Sequence, residues 1–103
     1  TYLLMNDELD EIGGTVDFQT TYVIDLSNGL EKPSLDVWTS ELPTVDHNLY
    51  IRGSYVYESN YKSGLRVLNI ENIAANDPQS KLREVGFFKT YKGTVDVSFD
   101  GAW

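Results

Sequence analysis

The chain has 103 residues, enough for one small domain with a modest core. It carries 16 acidic against 8 basic residues, a net charge of −8, which argues against gripping nucleic-acid phosphates or anionic lipid. There is no cysteine, so disulfides, thiolate chemistry and cysteine-type zinc sites are excluded, and no apolar run approaches the ~18 residues of a membrane span.

In chain order, Thr1 to Met5 reads as a strand. It runs into NDELDEIGG, an acidic turn ending in Gly13-Gly14. Thr15 to Gln19 is ambiguous between loop and strand extension. Thr20 to Leu26 is a strand, closed by Ser27-Asn28-Gly29. Leu35 to Thr39, with Trp38, is a fourth-strand candidate, and Pro43 blocks regular pairing in the link that follows.

Asp46 to Ile70, DHNLYIRGSYVYESNYKSGLRVLNI, is the most informative stretch. It predicts three short strands: His47 to Arg52, Tyr55 to Asn60 and Leu65 to Ile70. Gly53-Ser54 and Lys62-Ser63-Gly64 mark the reversals. Apolar residues run consecutively at Leu49, Tyr50 and Ile51 and at Tyr55, Val56 and Tyr57. A sheet with one wet face alternates, so this sheet is expected to pack on both faces. Glu71 to Ser80 is polar, with one helical turn expected around Ile73 to Asn76, ended before Pro78. Leu82 to Lys89 is another strand, Tyr91 to Asp96 a loop, and Val97 to Trp103 opens a further strand. With Thr1 first, Met5 the sole methionine and a strand starting at the end, the chain reads as an excerpt of a longer protein.

Two passes share an order of parts. YLLMNDELDE (2–11) parallels YVYESNYKSG (55–64) at an offset of 53, and TYVIDLSN (21–28) parallels LRVLNIEN (65–72) at an offset of 44. KPSLDVWTS (32–40) and KLREVGFFKT (81–90) share a role, and so do VDHNLY (45–50) and FDGAW (99–103). A repeat of about 50 residues built from four short antiparallel strands is the signature of a β-propeller blade. The predicted fold is therefore all-β: two four-stranded antiparallel blades of a larger propeller. The whole chain, 1–103, is one partial domain, with blades near 1–45 and 46–96 and the start of a third at 97–103.

NDELDE, TTYVIDLSN, the long DHNLY…NYKSGLRVL match, EVGFFKTY and FDGAW together resemble the choice-of-anchor B family, whose members are built from LVIVD-type repeats. Asn69 stands where that repeat usually carries Asp, whereas Asp25 keeps the acid. The resemblance implies a secreted or surface-attached β-propeller and carries over no catalytic residues.

Asp7, Glu8, Asp10 and Glu11 place four carboxylates in five residues. Calcium prefers several oxygen ligands on a flexible loop, so these four are the candidate metal ligands. The spacing is not that of an EF-hand, and a solvated acidic turn is the competing reading. His47, the sole histidine, lacks a Ser-centred motif or a second His beside it, which favours a structural hydrogen-bonding role. Asn60, Tyr61 and Arg66 fit a turn better than a channel mouth. Tyr50, Tyr55, Tyr57, Phe87, Phe88, Trp38 and Trp103 read as inter-blade packing sooner than as a carbohydrate surface. The expected function is a non-catalytic structural or protein-interaction module at the cell surface or outside the cell, with a protein partner or larger assembly. The alternative is a hydrolase or lyase with its site in the propeller channel; fold alone does not separate the two.

Overall fold

A computed structural model describes residues 1–90. They form two antiparallel sheets. The first comprises β1 (Tyr2–Asn6), β2 (Thr20–Asp25) and β3 (Ser34–Thr39), in that order. The second comprises β4 (Asn48–Arg52), β5 (Tyr55–Ser59), β6 (Leu65–Asn69) and β7 (Arg83–Phe88), also in chain order. The only helical pieces among the described residues are a five-residue helix α1 (Glu8–Ile12) and a 3-10 turn at Pro78–Ser80. The chain is thus all-β, in two blade-like meanders. The loop expected over 91–96 and the strand expected over 97–103, with the third blade it would open, lie outside the described residues.

Local chemistry sets the reversals. Gly53 takes φ 59° in the two-residue turn between β4 and β5, where glycine adopts the left-handed conformation without a Cβ penalty. Gly64 takes φ 80°, and a Cβ there would sit 2.3 Å from the Phe88 carbonyl oxygen, so the β5–β6 turn presses directly on the end of β7.

Three expectations change. The first sheet has three strands among the described residues, because Thr15 to Gln19 is loop and β4 pairs with β5. The acidic turn is helical: the Asp7 carboxylate accepts from the Leu9 N–H and so caps α1. No helix forms over 73–76. Those residues sit in tight turns, and the helical hydrogen bonds start at Asp77, whose carboxylate caps Pro78–Ser80. Proline at the first helical position loses no useful N–H, so Pro78 begins a helix there where it was expected to end one.

The sheets pack face to face. Leu4, Val23 and Trp38 of the first meet Val56 and Leu68 of the second and Leu82 before β7, with Tyr2, Leu49, Ile70 and Ile73 closing the margins. Full burial of each such side chain contributes about 1.5–3 kcal/mol. The segment before β7 covers the free edge of the first sheet. Gln79 donates to the Val37 carbonyl at 3.3 Å and accepts from the Thr39 N–H at 3.4 Å, imitating a neighbouring strand. Lys81 ties the same segment down through Asp36 at 3.2 Å and the Ile73 carbonyl at 2.9 Å.

The repeat offsets survive in the pairing. Leu3↔Ile24 in the first sheet corresponds to Val56↔Leu68 in the second, and Leu4↔Val23 corresponds to Tyr57↔Val67. The corresponding faces, however, are buried oppositely. Val56 and Leu68 are sealed in the core, whereas Leu3 is about half exposed and Ile24 partly so. Leu4 and Val23 are buried, whereas Tyr57 and Val67 lie on the open face. Among the described residues each sheet covers one face.

Candidate functional site

The acidic segment meets the second sheet at the top of the joint. On α1 successive side chains fan out by about 100°, so the four carboxylates separate. Asp7 is exposed and spent on the cap. Glu8 accepts from the Tyr61 hydroxyl at 2.6 Å and lies 3.8 Å from His47 Nε2. Asp10, buried, accepts from the Tyr22 hydroxyl at 2.6 Å. Glu11 faces Asp10 and the fully buried Asp46.

Behind them stands Glu58, fully buried on β5. Its Oε2 accepts from Gln19 Nε2 at 2.6 Å and Asn60 Nδ2 at 3.1 Å, and its Oε1 accepts from the Thr21 hydroxyl at 2.9 Å. Asn6 also approaches it, outside hydrogen-bond geometry. Gln19 and Thr21 belong to the first sheet's side of the joint, so this carboxylate bridges the two meanders. Burial nevertheless pushes its carboxyl upward, outweighing those donors.

The other carboxyls are less well supplied. Burial, then repulsion from Glu58 and Asp10, pushes Asp46 up to about 8. Neither of its oxygens meets a hydrogen-bond donor among the described residues; the Thr20 backbone amide stays outside that geometry. Burial, followed by the contact with Asp10, pushes Glu11 up to about 9. Tyr22 rises to about 12, chiefly through its bond to Asp10. Tyr61 rises to about 12 through burial and its bond to Glu8. Both hydroxyls therefore stay protonated donors.

Tyr61 is held at φ 42°, uncommon for a residue with a Cβ, and its ring packs 5.0 Å from that of His47. Its neighbour Asn60 is fully buried. A cleft of about 430 Å³ opens beside the cluster, lined by Glu11, Val16, Thr44, Val45 and Lys62 among others.

Of the four acidic residues singled out from sequence, Asp10 and Glu11 come together, joined by Asp46; Asp7 and Glu8 turn to other partners. Among the described residues, no group of three or more His, Asp or Glu side chains could hold a metal ion. Sequence reasoning missed Asp46, Glu58 and Asn60 as members. For Glu58 the sequence held half a signal: alternation puts it on the same face of β5 as Val56, without saying which face turns inward. The aromatic set divides. Trp38 is core, whereas Tyr50, Phe87 and Phe88 are each more than 60% exposed; Trp103 lies outside the described residues. Arg66 holds the turn, as expected, through the Ser63 carbonyl at 3.0 Å.

No helix among the described residues is long and apolar enough to cross a membrane. No family model, curated protein or solved structure matches the chain.

Proposed function

We propose that this chain is part of a β-propeller, extracellular or surface-attached, that works as a non-catalytic protein-interaction module. The observation that carries the reading is the opposite burial of corresponding faces. The open face of the second sheet, with Tyr57 and Val67, corresponds to the buried face of the first, with Leu4 and Val23. Phe88 lies opposite Leu65 on that face, as Trp38 lies opposite Thr21 on the buried one. The open face of the first sheet, with Leu3 and Ile24, corresponds to the buried face of the second. Each open face is therefore shaped for a further sheet of the same repeat. Repeating the sheet-to-sheet step is a head-to-tail operation, which closes into a ring when the rotation allows. The family resemblance and the acidic surface support the extracellular setting and a partner protein at the rim.

A pair of variants tests the head-to-tail reading. Leu35 and Phe88 are each at least 60% exposed on the two open faces. Leu35→Glu blocks one face and Phe88→Glu the other. Light scattering after size exclusion is expected to show wild type self-associating and each variant monomeric. The 1:1 mixture forms a heterodimer, because each variant retains the face its partner lacks. A monomeric wild type, or a mixture that stays monomeric, refutes the reading.

A further inference from the structure

We propose that the open edge of β1 accepts an extended peptide segment of β4's composition as a further antiparallel strand, in the register that β4 keeps on β5.

Backbone phase is the observation behind it. The Leu26 N–H donates to the Thr1 carbonyl, directly opposite it in the β1–β2 register. Bonded and unbonded pairs alternate along an antiparallel ladder. Leu3 and Met5 therefore also bond to β2, and the N–H and C=O groups of Tyr2, Leu4 and Asn6 point outward. The same alternation turns the backbone groups of Val37 and Thr39 away from β2, and those are the groups that Gln79 meets. On the second sheet the Asn60 N–H donates to the Gly64 carbonyl and the Ile70 N–H to the Ser54 carbonyl, again directly opposite. Val56 and Glu58 thus bond to β6, and Tyr55, Tyr57 and Ser59 turn to β4. The repeat offset of 53 carries Tyr55, Tyr57 and Ser59 onto Tyr2, Leu4 and Asn6. The groups that hold β4 on β5 have counterparts in the same phase on β1, where among the described residues no strand meets them.

The sequence treats this edge unlike the others. An unpaired edge is a template for stray pairing, and charges or covering segments blunt it. β3 is covered by Gln79, β4 carries Arg52, and β7 carries Arg83 and Glu84. β1, Tyr-Leu-Leu-Met-Asn, carries no charge, proline or glycine. Main-chain bonds give an added strand its affinity, and its alternate side chains give selectivity. In β4's register the added residues corresponding to Ile51 and Leu49 stand beside Leu3 and Met5, each about half exposed. The residue corresponding to Tyr50 stands beside Leu4 on the core side. That uncharged aliphatic, aromatic, aliphatic order defines the occupant: the leading strand of another unit of this repeat. The inference rests on the repeat behind the propeller reading but not on stacking of the open faces, so a chain that stays monomeric still accepts the strand.

Fluorescence anisotropy of a labelled peptide with residues 45–53, VDHNLYIRG, titrated with the full chain is the test, paired with residue-resolved amide exchange. It is run on wild type and on the Leu35→Glu/Phe88→Glu double variant, whose open faces are blocked. Saturable one-to-one binding is expected in both, with exchange at the Tyr2, Leu4 and Asn6 amides slowed by about tenfold or more. N-methylation of the peptide at Tyr50 removes a donor that faces β1 and weakens binding by about tenfold or more, whereas N-methylation at Ile51, on the far edge, changes it less than about threefold. Absence of binding overturns the proposal. So does binding to wild type but not to the folded double variant, which puts the peptide on an open face. Slowed exchange along β4 or β7 in place of β1, or equal loss from the two methylations, overturns it as well. Slow exchange at the three amides before peptide is added does the same, because the edge is then already paired. Should the double variant not fold, the methylation pair and the exchange pattern on wild type decide.

Discussion

Removing the Glu58 carboxylate shows what joins the two sheets. Glu58→Ala leaves the Gln19 amide, the Asn60 amide and the Thr21 hydroxyl facing a void, all buried. Breaking such a buried polar centre costs about 3–5 kcal/mol, a large share of the ~5–15 kcal/mol that holds a small domain. At about 4–8 °C per kcal/mol for a chain of this size, the melting midpoint falls by about 12–40 °C. Glu58→Gln behaves differently. Its carbonyl takes the two amide N–H groups that Oε2 accepts now, and its amide nitrogen faces Thr21, whose hydroxyl rotates to accept. The buried charge disappears, so the variant is neutral or about 1 kcal/mol more stable at pH 7. Because the Glu58 carboxyl is raised, its contribution in wild type is fully present below its ordinary value of 4.5 and is lost as the pH rises above that. Glu58→Gln removes that slope. Adding Thr21→Val to Glu58→Gln takes away the rotating acceptor and costs about 1–2 kcal/mol. Urea denaturation followed by tryptophan fluorescence, with Trp38 in the joint, reads all of these at pH 5 and pH 7. An alanine cost below about 1 kcal/mol, or a glutamine cost equal to it, refutes the reasoning.

Three further outcomes are expected. Gly64→Ala combines φ 80° with a Cβ 2.3 Å from the Phe88 carbonyl and costs about 2–3 kcal/mol or more in urea denaturation. Gly29→Ala, at φ 86° in open space, costs only about 1 kcal/mol. Calorimetric midpoints fall as pH rises. Asp46 and Glu11 are raised from 3.8 and 4.5 to about 8 and about 9, so their contribution is full near pH 4 and gone by about pH 9. Asp46→Asn flattens that fall. Arg66→Lys loses the fork that reaches the Ser63 carbonyl and Glu84 while its guanidinium lies 4.6 Å from the Phe87 ring centre; chemical denaturation should register about 1–2 kcal/mol.

The strands were legible because their pairing is local and because most carry β-branched, aromatic or leucine residues between turn signals such as Gly29, Gly53 and Gly64. Helix α1 was not: five residues show no periodicity, and the visible sign, Asp7 as a capping residue, reads equally as one more ligand in an acidic run. The members of the buried cluster were legible as residues but not as neighbours. Glu58 meets partners 39 and 37 positions away, and Tyr61 meets Glu8 across 53. Which face of β5 turns inward could not be taken from Tyr55-Val56-Tyr57, where both parities are apolar.

Those same separations have a kinetic consequence. Within each sheet every strand pairs with its neighbour in sequence, so the meanders close shorter loops than the contacts between sheets do. The bonds from Gln19 and Thr21 to Glu58 span most of a repeat and are expected to form late, when the meanders dock. Substitutions in the Gly53 turn then govern how fast the chain folds. Substitutions at Gln19, Thr21 or Glu58 leave that rate nearly unchanged and govern how fast it comes apart, and with it how long the chain survives a protease that strikes during separation.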